Sequence, residues 1–68
     1  MLLIKGVKGP ADLSYIEGLV FNLGFSFLSV FDFQRQTLDI TLVYSRTGKT
    51  ETDVGIILVE DGYTVEVA

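Results

Sequence analysis

Apolar residues alternate with polar ones over most of the last two-thirds of the chain. Phe25, Phe27, Phe31 and Phe33 share one parity, Leu38, Ile40, Leu42 and Tyr44 follow, then Val54, Ile56 and Leu58, then Tyr63, Val65 and Val67. A period of two places each set on one side of a β-strand. Four strands with one common apolar face are therefore predicted. Before them, Leu2 to Val7 reads as a short strand running into the glycine-rich turn Gly6-Val7-Lys8-Gly9-Pro10. Leu13, Ile16, Val20 and Leu23 then recur at helical spacing, and Gly24 stands where a C-terminal glycine cap belongs. Two helix starts compete. Pro10 suits a first turn and Asp12 the positive end of the helix dipole, while Ser14-Tyr15-Ile16-Glu17 has capping-box spacing. Gly18 weakens this helix and would let it lie close on the sheet.

Turn residues set the expected register. Asp61-Gly62 is a type I′ hairpin signal, which puts Leu58 opposite Val65 and Ile56 opposite Val67. A two-residue loop at Arg35-Gln36 puts Phe33 opposite Leu38 and Phe31 opposite Ile40. A three-residue turn at Thr47-Gly48-Lys49 puts Leu42 against Val54 and Ile40 against Ile56; a one-residue slip would bury an acid and expose an aliphatic. The expectation is one α+β domain over residues 1–68, with a single helix on one face of a mainly antiparallel sheet. Its order is β-α-β-β-β-β, the last four strands a meander. The first strand is expected beside the second or the last.

The reverse face of that sheet is not uniformly polar. It carries Leu28, Val30, Val43, Ile57 and Val59 among Ser26, Asp32, Asp39, Thr41 and Glu66. Scattered aliphatics suit strand propensity alone, whereas a contiguous apolar patch marks an interface. Those five residues are the candidate interface.

Composition narrows the chemistry. A chain of 68 residues buries a modest fraction of its surface, and with no cysteine it has no disulfide to reinforce it. An apolar fraction of 49% in so small a body points to self-association. Nine acids against five bases give a net charge of −4, which disfavours nucleic acid as a partner. No apolar segment is long enough to span a membrane, and the cytoplasm is the expected compartment. Without histidine or cysteine, the usual base, thiol nucleophile and transition-metal ligand sets are missing. No cofactor and no metal site are expected, and no enzymatic activity.

Three weaker features remain. Asp32, Asp39 and Glu66 fall in one lateral row of the expected reverse face, where oxygen ligands could collect a hard cation or meet basic groups of a partner. Gly48-Lys49-Thr50 resembles the end of a phosphate-binding loop, but Val43 stands where the earlier glycine is needed. Lys5, Gly6, Lys8 and Gly9 lead into a helix N-terminus and form the better anion candidate, although Pro10 removes a donor and Asp12 already occupies the field. The leading expectation is a protein–protein interaction module, a homodimer or a small accessory subunit, using the second sheet face or a strand edge. The alternatives are a small-ligand or anion-binding module at Lys5–Pro10 and an acidic inhibitor or immunity-type protein that masks a basic partner.

Overall fold

A computed structural model describes residues 1–68. Leu2–Lys5 form β1, Pro10–Asn22 α1, Phe25–Asp32 β2, Thr37–Ser45 β3, Glu51–Glu60 α2 and Thr64–Val67 β4. The four strands make one sheet in the order β2-β3-β1-β4, and every neighbouring pair is antiparallel. The α+β class and the antiparallel sheet agree with the expectation from sequence. The order β-α-β-β-β-β does not: the third element after the first helix is a second helix, giving β-α-β-β-α-β. This element order is the ferredoxin-like, split β-α-β arrangement.

α2 occupies the segment that alternation assigned to a strand. Val54, Ile56 and Leu58 do alternate, but the apolar run is short, and over such a length periodicity cannot separate strand from helix. Its ends decide for helix. The Asp53 carboxylate accepts the Thr50 N–H at 2.8 Å, and Glu51 and Asp53 sit in the first turn, where the dipole favours acids. At the other end the Tyr63 N–H donates to the Leu58 carbonyl and the Gly62 N–H to that of Val59, both at 3.0 Å. Those two bonds form a Schellman cap. Gly62 has φ 100°, so Asp61-Gly62 does supply a left-handed glycine, but it ends a helix instead of turning a hairpin. The expected pairings of Leu58 with Val65, of Ile56 with Val67 and with Ile40, and of Leu42 with Val54 fall with that strand.

α1 begins at Pro10, which resolves the choice between the two helix starts; its first backbone bond runs from Leu13 N–H to the Gly9 carbonyl at 3.1 Å. Gly24, at φ 93°, ends it as expected. A Cβ on Gly18 would meet nothing within 4 Å, so that glycine brings no close approach; on α2, a Cβ at Gly55 would lie 3.8 Å from Val65 Cγ1.

The β2–β3 hairpin keeps its expected faces but shifts its register by two residues. Phe31 pairs with Leu38 and Ser29 with Ile40, because the connection is Phe33-Gln34-Arg35-Gln36 and not two residues. Asp32 Oδ1 accepts the Arg35 N–H at 3.1 Å and stabilises this longer turn. Phe33 leaves the sheet, 76% exposed, and stacks edge-on against Phe31 with ring centroids 6.4 Å apart. A bulge lies farther along: Ser26 pairs with Tyr44 and Phe27 with Leu42, so Val43 is the surplus residue. It moves Tyr44 off the core parity and onto the outer face, where the ring is exposed. β1 lies between β3 and β4; the last strand is one of the two neighbours offered by the sequence, and β3 is not.

Both helices cover the same sheet face. Leu2, Ile4, Leu38 and Ile40 from the two central strands meet Ile16 and Val20 of α1 and Val54 and Leu58 of α2, and all eight are fully buried. Val7 and Phe25 complete a cluster of ten. No charged or polar side chain is buried in it.

Candidate functional site

The sheet has one covered face and one open face. On the open face, β2 presents Ser26, Leu28, Val30 and Asp32, and Leu28 and Val30 are 66% and 67% exposed. Across the ladder, Leu28 faces Thr41 and Val30 faces Asp39. Asp39 in turn faces Leu3, and Leu3 faces Glu66. Met1 shares the parity of Leu3, and Tyr44 and Val43 lie at the bulge end. The apolar atoms thus form a β2 strip and a β1 strip, divided by Thr41 and Asp39 of β3.

This geometry keeps Leu28, Val30 and Val43 of the five expected interface residues on one exposed surface. It does not bring Ile57 and Val59 there. Both belong to α2, on the opposite side of the sheet, Ile57 half-buried and Val59 exposed. The carboxylate row is likewise rearranged. Asp32 pairs with Thr37 and Asp39 with Val30, so the two acids are not direct cross-strand neighbours. Glu66 is engaged by Lys5, whose Nζ lies 3.3 Å from Oε1. No group of three or more acidic side chains is placed to hold a metal ion.

The turn before α1 is held by its own acid. Asp12 Oδ2 accepts the Lys8 N–H at 2.8 Å, and Oδ1 accepts the Tyr63 hydroxyl at 2.7 Å. The Lys8 bond first and then the Tyr63 bond hold the Asp12 carboxyl below its ordinary range. An anion bound by Lys5, Gly6, Lys8 and Gly9 would have to displace Asp12 and draw Lys5 from Glu66. Tyr15 donates to Asp61, and that bond raises its hydroxyl pKa. Burial, with the Asp12 bond second, pushes the Tyr63 hydroxyl up to about 12. Two tyrosine–aspartate pairs therefore tie the start of α1 to the end of α2. Both phenols move away from neutrality, which makes them poorer proton-transfer groups at pH 7.

A second surface lies at the β4 edge. Thr52, Gly55, Ile56, Val59 and Glu60 of α2 face Val65 and Val67 of β4 across an open groove of about 460 Å³. Ile56 and Val59 are 53% and 55% exposed. Sequence reasoning missed this groove because it placed 54–59 in the sheet. The recurrence Thr52, Gly55, Ile56, Val59 at three- and four-residue steps was the available signal.

The chain matches no family model, no curated protein and no solved structure. No helix is long and apolar enough to cross a membrane.

Proposed function

We propose that this chain is a non-enzymatic protein–protein interaction module whose open sheet face is its docking surface. The supporting observation is the exposure of Leu28 and Val30 side by side on a face that no helix covers, with Val43 and Tyr44 beside them. An apolar surface rimmed by polar groups is characteristic of protein contacts. Here the rim is Asp32, Lys5 and Glu66, with Asp39 and Thr41 between the two strips. A single aromatic, Tyr44 at the bulge end of β3, lies on this face of the two central strands, which otherwise carry Leu3, Lys5, Thr37, Asp39, Thr41 and Val43. A base-stacking platform is therefore not built there, in keeping with the negative charge.

The test compares wild type with a Leu28→Glu/Val30→Glu double variant. Immobilised wild-type protein is expected to retain a partner from cytosol of the native host that the double variant releases, while circular dichroism and melting temperature agree between the two. Retention of the same partners at the same yield by both proteins would refute the open face as the docking surface.

A further inference from the structure

β4 is paired on one side only. Met1 and Ala68 exchange both backbone bonds, Ala68 N–H to the Met1 carbonyl at 2.8 Å and the Met1 amine to the Ala68 carbonyl at 3.0 Å. Bonded and non-bonded pairs alternate along an antiparallel ladder. Leu3–Glu66 and Lys5–Thr64 are then the bonded pairs of β1 and β4. The N–H and C=O groups of Val65 and Val67 consequently point outward from the sheet edge. β4 carries no proline, bulge or inward charge of the kind that blunts an edge.

The opposite edge is guarded differently. Beneath β2, Glu17 of α1 accepts a hydrogen bond from Ser29, so an acid stands on the helix side of that edge. Beneath β4 the groove is floored by Gly55, Ile56 and Val59, with Thr52 and the acid Glu60 lining it toward the two ends of α2. A strand added to β4 gains backbone bonds and a seat for its apolar side chains.

We propose that the occupant is a second copy of this chain, its β4 antiparallel to the first and Val65 opposite Val65 of the second copy, so that the two sheets become one of eight strands. Side-chain parity allows a twofold axis at Val65 or at Glu66. An axis at Glu66 sets two glutamates directly opposite each other, which is unfavourable. An axis at Val65 sets Thr64 opposite Glu66 of the second copy. Lys5 then shares a row with that Glu66, two strand spacings away, about 10 Å. On the helix side the same axis brings the two α2 helices together along Thr52, Gly55, Ile56 and Val59. A lone extended peptide would cover the strand edge but leave that helix stripe exposed; a second copy covers both. The resulting dimer would join the two open faces into one wide surface.

Sedimentation velocity over micromolar to millimolar protein tests the pairing. Wild type is expected to be dimeric, and more so at high salt, since each copy carries a net charge of −4. Val67→Pro removes an outward N–H without removing a β1 bond, and Ile56→Glu puts an acid into the groove. Each is expected to give a monomer with an unchanged circular dichroism spectrum, and loss of slow exchange at the Val65 amide. Leu28→Glu/Val30→Glu is expected to stay dimeric. A wild-type monomer throughout, or a dimer that survives both edge variants, would overturn the edge pairing. A dimer lost only in the open-face variant would overturn it as well while supporting the open-face reading, so the two proposals fail separately.

Discussion

The covered and open faces of this sheet are built from the same kinds of residue with opposite consequences. Ile40 and Leu38 on one side have no exposed surface, while Leu28 and Val30 on the other keep about two-thirds of theirs. The chemistry of the side chains is nearly the same; what differs is whether a helix lies over them. Burial contributes about 25 cal/mol per Å² of apolar surface, so folding energy is concentrated on the helix side. The open side contributes little to folding, and its apolar surface is still available to a partner.

Substitutions sharpen this contrast. Ile40→Ala should destabilise the fold by about 2–5 kcal/mol, whereas Leu28→Ala should stay within about 0.5 kcal/mol in urea titrations. Equal losses at the two sites would erase the distinction between the faces. Gly24→Ala comes next. Its left-handed φ of 93° costs an alanine about 1–2 kcal/mol, and the new Cβ would lie 2.6 Å from Thr47 Cγ2. Thr47→Ala should recover part of that loss in the double variant.

Tyr63→Phe removes the bond to Asp12 and should cost about 1 kcal/mol. The wild-type bond has a predictable pH window. The folded pKa of about 12 lies above the ordinary 10.0, so the contribution is full below pH 10 and is lost as pH rises toward 12. Asp12, held below its ordinary 3.8, contributes above that pH and loses its contribution as pH falls further. Melting curves of wild type and Tyr63→Phe should converge at the alkaline end. The smallest effect has the opposite sign. Gly18→Ala meets open space on α1 and should stabilise by about 0.5–1 kcal/mol.

Where the sequence could be read, a long alternating pattern met a clear end signal. The β2–β3 hairpin was legible as far as the bulge at Val43, and up to that point its two-residue slip preserved the faces because parity repeats every two residues. α1 was legible from its spacing and from Gly24. The α2 segment was not, since β-branched residues, a mid-helix glycine and four consecutive aliphatics all resemble a strand. Its helical signs were the Thr50–Asp53 spacing and the Val54–Leu58 step, and Asp61-Gly62 carries one meaning after a strand and another after a helix. Half of the candidate site followed from correct parity on β2. The other half, the α2 groove, depended on an element type that local pattern did not determine. Tyr44 was misplaced by one surplus residue, Val43, which no turn signal marks.

That surplus residue also gives the molecule an optical handle. The chain has three tyrosines and no tryptophan, and the hydroxyls of Tyr15 and Tyr63 are bonded to carboxylates, which quench phenol emission. Tyr44 is the phenol without such a quencher, and it looks outward beside Ser26. Ultraviolet fluorescence of the unlabelled protein should therefore brighten, dim or shift when something settles over that corner, while remaining blind to events at the far edge.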